Sequence, residues 1–102
     1  MKIRTADGGK YIIFWCPGCD EPHQVPVAGD KAWQFNGNLE SPTISPSLLV
    51  RGDERGNGVR CHLFLKNGVL EFCTDSGHGL AGKTVPLPEW PYGPGKFGGI
   101  DQ

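Results

Sequence analysis

Apolar residues along this chain recur with the two-residue period of strands, and no stretch carries the 3.6-residue period of a useful amphipathic helix. Tyr11-Ile12-Ile13-Phe14-Trp15 is apolar on both alternating faces and reads as a central buried strand. His23-Gln24-Val25-Pro26-Val27 reads as an extended edge segment, because Pro26 has no N–H for a second neighbour. Ala32–Phe35 forms a brief strand stopped by Asn36-Gly37-Asn38, and two prolines keep Glu40–Ser47 extended or turning. Leu48-Leu49-Val50 predicts another strand, followed by a charged, glycine-rich surface loop over 51–58.

The sharpest local signal is Asn67-Gly68, the favoured pair for a type I′ hairpin turn, between Val59–Lys66 and Val69–Cys73. Pairing Lys66 with Val69 sets Leu65 opposite Leu70, Leu63 opposite Phe72 and His62 opposite Cys73. Cys61, Leu63, Leu65, Leu70 and Phe72 then share an apolar face, while His62, Phe64, Glu71 and Cys73 share the other. Leu80–Pro88 returns as a proline-limited edge segment, Trp90 closes the core, and 91–102 reads as a flexible Gly/Pro-rich tail. The expected organisation is one β domain over residues 1–90 plus that tail.

Composition narrows the classes. At 102 residues with 37% hydrophobic content, core burial leaves a thin stability margin that a metal staple would widen. The net charge of -1 gives no general attraction to nucleic acid or anionic membrane, so nucleic acid is disfavoured as a partner and no membrane partner is expected. Nothing at the N-terminus resembles a secretion signal and no apolar run approaches membrane-spanning length, so the expected location is the cytoplasm, the host's if the chain is phage-encoded. In a reducing compartment the four cysteines read as metal ligands or plain thiols before disulfides.

Cys16-Pro17-Gly18-Cys19 is the chemical centre of the sequence. Proline presets φ and glycine accepts a left-handed position, so the turn curls two sulfurs toward one ion. Thiolate and imidazole together suit one zinc ion in a closed tetrahedral sphere. The preferred ligand set is Cys16, Cys19, Cys61 and His78: one pair from the knuckle, the other from the mouth of the hairpin. His62 competes for a place but faces away from Cys61 on a regular strand, so only one of the two ligates. Cys73 competes from across His62, and would release His78. His23 reads as a surface residue, with a fourth ligand or outer support as alternatives; Asp75 either orients the His78 imidazole or forms a turn.

Two thiolates from one knuckle favour a structural site over an open catalytic one. A zinc-deaminase reading lacks the upstream His-x-Glu, and a thioredoxin-like reading lacks a helix after the Cys-x-x-Cys.

The chain also resembles a family of small, mostly phage and prophage proteins of unknown function, some mislabelled "ammonia monooxygenase". The likeness spans about residues 14–90. It rests on Phe14-Trp15-Cys16-Pro17-Gly18-Cys19 with His23, Trp33 with Asn36-Gly37, Pro42-Thr43 with Ser45-Pro46-Ser47, Cys61-His62, and Asp75 with His78-Gly79-Leu80-Ala81-Gly82-Lys83-Thr84-Val85. The resemblance demotes Cys73 as a ligand, since relatives usually carry an aliphatic residue there, and favours Cys16, Cys19 and Cys61 with either His62 or His78. It implies mobile or defence-related gene neighbourhoods and assigns no activity. The combined expectation is a mainly β, zinc-ribbon-like antiparallel domain acting as a non-catalytic interaction module for a host or phage protein. The alternative is a small metal-dependent hydrolase or deaminase using His23, His62, Asp75 and His78.

Overall fold

The computed structural model describes residues 2–50, 60–91 and 100–101, and the described residues contain strands and turns but no helix. The fold class is all-β, as expected, in three antiparallel sheets. Among the described residues no helix is long and apolar enough to cross a membrane.

The first sheet orders β10 (Ile100–Asp101), β1 (Ile3–Ala6), β2 (Tyr11–Cys16) and β3 (Glu21–Pro26). β2 is central and apolar on both faces, and both faces are covered. Ile12, Phe14 and Cys16 enter the main core, while Ile13 and Trp15 meet Trp90 on the other side. The Trp15 and Trp90 rings pack edge to face at 6.3 Å, so Trp90 closes the core as the sequence predicts. β3 occupies the edge that Pro26 allows. Strand β1 is an addition to the sequence reading. Of its four residues only Ile3 is fully buried, which leaves little apolar pattern to recognise. The predicted surface loop at 51–58 and most of the predicted tail lie outside the described residues; Ile100–Asp101 add a short strand beside β1.

The predicted hairpin forms β7 (Cys61–Lys66) and β8 (Val69–Phe72), with Lys66 opposite Val69, Leu65 opposite Leu70 and Leu63 opposite Phe72. Asn67 and Gly68 take φ of 51° and 75°, both positive as a type I′ turn demands. β6 (Leu48–Val50) and β9 (Thr84–Pro86) flank the hairpin and complete its four-stranded sheet. Cys61, Leu63, Leu65 and Leu70 are fully buried against Ile12, Phe14 and Leu87, each leucine contributing about 1.5–3 kcal/mol. The opposite face, with His62, Phe64, Lys66 and Glu71, is half-buried to exposed.

A small sheet of β4 (Gln34–Phe35) and β5 (Ile44–Ser45) leads the chain into β6. Here the predicted Ala32–Phe35 strand is trimmed to its last two residues. The Asn36 side chain ties the intervening loop: its amide donates to the Ser41 carbonyl at 3.0 Å, and its oxygen accepts the Asn38 and Thr43 amides. Gly68 donates to the Pro42 carbonyl and Asn67 donates to the Thr43 hydroxyl, docking this loop on the hairpin turn. Asn36, Pro42 and Thr43 thereby fix where residues 45–48 run.

Candidate functional site

β7 carries two chemistries on two faces. Cys61, buried, points inward to the knuckle; its neighbour His62, on the opposite face of the pleat, points outward.

On the inner side Cys16, Cys19, Cys61 and His78 bring one ligand atom each within 4.8 Å of one another, a set that could hold a metal ion. Cys16 Sγ lies 3.8 Å from Cys61 Sγ, and His78 Nε2 lies 3.4 Å from Cys61 Sγ. Leu80 donates its amide to His78 Nδ1 at 3.2 Å, which turns Nε2 toward the sulfurs, and Phe72 meets the ring edge to face at 4.8 Å. All four cysteines are free. A hydrogen bond from Cys61, with help from His23, draws the Cys16 thiol down to about 4. Burial and the neighbouring Cys16 charge push Cys19 up to about 12, and the bond that Cys61 gives to Cys16, together with burial, pushes Cys61 strongly upward. Three sulfurs thus share a site in which Cys16 is the most readily ionised.

The knuckle differs from its sequence reading in one respect. The left-handed residue is Asp20, at φ 56°, whose amide bonds the Cys16 carbonyl at 2.8 Å. Gly18 is required for another reason: a Cβ there would collide with the His78 ring.

On the outer side His62 bridges two partners. Its Nδ1 stands 3.1 Å and 3.3 Å from the Asp75 carboxylate oxygens, and its Nε2 stands 3.1 Å from Ser47 Oγ. A carboxylate only accepts, so Nδ1 carries the proton and donates to Asp75, leaving the Nε2 lone pair for the Ser47 hydroxyl. Local structure explains the convergence. Leu49 pairs with His62, so Ser47, two residues earlier, sits diagonally across from the imidazole. Past β8, Cys73 donates to the His62 carbonyl and Gly77 to the Arg60 carbonyl, which folds Asp75 back over the strand. Buried Ser76 clamps the His62 backbone, accepting from its amide at 3.1 Å and donating to its carbonyl at 2.9 Å. Arg60 adds an exposed ion pair to Asp75 at 3.7 Å.

Asp75 lies in a turn, one of its two expected readings, and its carboxylate serves His62 where the other expectation had it orient His78. Cys73 lies within 4.8 Å of His62 and Asp75, forming a second group of metal-capable side chains. Burial and the charges of Asp75 and Glu71 push its thiol pKa up. His23 is buried, not a surface residue; its ring packs edge to face on Phe14 at 5.8 Å beside Cys16. His23, His62, Asp75 and His78 do not meet: His62 and Asp75 stand on one face, His78 among the sulfurs, His23 on β3. The expected four-residue metal-hydrolase site is corrected accordingly. Ser47 is the candidate site residue that the sequence alone does not single out. It belongs to the Ser45-Pro46-Ser47 stretch, but only the pairing of β6 with β7 shows that it faces His62.

A family model described as "Bacterial ubiquitination-like system serine protease (BubE)" matches residues 1–73, a span that includes Ser47 and His62 and ends just before Asp75. No curated protein and no solved structure matches the chain. The match overturns the expectation of a non-catalytic accessory module, because the family is described as one of serine proteases; the hydrolase alternative stands closer, though not as a metal-dependent one. With the match covering well over half of its length, the chain belongs to the bacterial ubiquitination-like system serine protease (BubE) family.

Proposed function

We propose that this protein is a serine protease of a bacterial ubiquitination-like system, with Ser47 as nucleophile, His62 as general base and acid, and Asp75 as the group that orients His62. The observation that carries the reading is the imidazole of His62 held between the Asp75 carboxylate and the Ser47 hydroxyl, each at 3.1 Å. In the first half-reaction Ser47 Oγ bonds to the scissile carbonyl carbon while its proton passes to His62 Nε2. The C–N bond then breaks as His62 returns that proton to the departing amine, leaving an acyl ester on Ser47. Water, deprotonated by the same nitrogen, releases the acid and regenerates the hydroxyl.

Cys16, Cys19, Cys61 and His78 are proposed to hold one structural zinc ion. Three thiols and an imidazole fit a closed tetrahedral sphere, and the glycine that admits His78 fits a cradle shaped for it. The bound ion would neutralise the crowded sulfurs and staple the knuckle to β7. Free thiols this close suit a reducing cytoplasm.

The test is hydrolysis of a chromogenic ester and a peptide amide by purified protein. Wild type is expected to turn over, and Ser47→Ala to lose both activities while keeping its melting temperature. Equal activity in Ser47→Ala would refute the assignment.

A further inference from the structure

The outer face of the β6–β9 sheet carries an apolar feature that the catalytic residues do not use. Among the described residues the exposed large hydrophobics are Leu49 and Phe64, 39% and 37% accessible. A scattered exposed leucine is ordinary on a protein surface. These two are not scattered: Leu49 is the direct cross-strand partner of His62, and the Phe64 ring stacks on the His62 imidazole at 6.3 Å. Both lie on the face where Ser47 meets His62, whose own side chain is 27% exposed. Lys66 Nζ sits over the Phe64 ring at 4.9 Å, marking where the apolar strip gives way to charge.

We infer that Leu49 and Phe64 form the apolar wall of the substrate site, receiving an apolar side chain of the polypeptide beside its scissile carbonyl. This inference rests on the serine-protease reading. Any acyl group that Ser47 attacks must come within bonding distance of its Oγ, so the flanking side chain of that substrate covers the surface around His62. An apolar occupant would release the water held over both residues, whereas a charged one would lose hydration over Leu49 and Phe64 themselves, the charges of Lys66 and Glu71 lying at the Phe64 end of the strip.

The experiment uses aminoalkyl diphenylphosphonates carrying a leucine, phenylalanine, aspartate or lysine side chain, with the rate of adduct formation on Ser47 read by mass spectrometry. The leucine and phenylalanine reagents are expected to react about tenfold faster or more than the charged ones. Leu49→Ser and Phe64→Ser are each expected to shrink that ratio severalfold, with folding followed by melting temperature. Equal rates across the four reagents, or a preference for a charged one, would overturn the inference while leaving Ser47 as nucleophile. Failure of every reagent to modify Ser47 would overturn the protease reading, and the inference with it.

Discussion

Cys61 and His62 are consecutive in β7 and face opposite sides of its sheet, so one peptide unit joins the sulfur cluster to the imidazole that contacts Ser47. The far end of the site repeats the arrangement, because the turn that sends Asp75 to His62 also sends His78 to Cys61. Whatever holds the inner cluster therefore also sets the outer triad.

Metal removal should register on both faces. Stripping zinc with a chelator is expected to lower the melting temperature by more than about 10 °C, since ligand assembly and folding share free energy. The rate of Ser47 acylation by a chromogenic ester should fall in parallel, and both should return on adding zinc. Calorimetry and ester hydrolysis on one sample check this; unchanged melting in excess chelator contradicts it.

Loading should also release protons. In the metal-free protein Cys16, drawn down to about 4, is already ionised at pH 7, whereas Cys19, pushed up to about 12, and Cys61, pushed up further, are protonated. Zinc binding at pH 7 is therefore expected to release about two protons, and affinity should weaken as pH falls and protons compete for the sulfurs. A pH indicator in weak buffer measures the count, and no release would show that the thiols are not ligands.

Asp75→Asn tests the orienting role. It keeps the size of the side chain but can donate to Nδ1, which favours the wrong imidazole tautomer; kcat/KM is expected to fall about a thousandfold to ten-thousandfold. Loss of the exposed Arg60 ion pair costs less than about 1 kcal/mol, so the melting temperature should barely change. Steady-state kinetics beside a thermal melt separates the two effects, and near-normal turnover would remove Asp75 from the site.

Gly18 and Gly79 make a matched pair around His78. A methyl at Gly18 runs into the imidazole ring, whereas a methyl at Gly79 meets nothing within 4 Å. Gly18→Ala is expected to cost about 1–3 kcal/mol and reduce bound zinc per chain, with Gly79→Ala near wild type. Thermal melts and elemental analysis check this, and identical behaviour of the two variants would contradict the cluster geometry.

The hairpin and the cysteine cluster were legible in the sequence for different reasons. Asn67-Gly68 dictates a turn type and so a register, and that register places Cys61 inward and His62 outward from local rules alone. The cysteines announce themselves by residue type and spacing. Ser47 had no such signal, because a serine becomes a nucleophile only through its neighbours, and its neighbour arrives by pairing of β6 with β7, 15 residues apart in sequence at the contact. Asp75 was placed near His78, its close neighbour in sequence; the Ser76 clamp on the His62 backbone directs it elsewhere, a contact between distant segments that spacing does not reveal.

The measurement that bears most directly on the central claim is the site of labelling by a fluorophosphonate probe, mapped by peptide mass spectrometry. One adduct per chain is predicted on Ser47 in the wild type, with labelling strongly slowed in His62→Ala. An adduct on another residue, or a folded, zinc-loaded protein that takes no label, would contradict it.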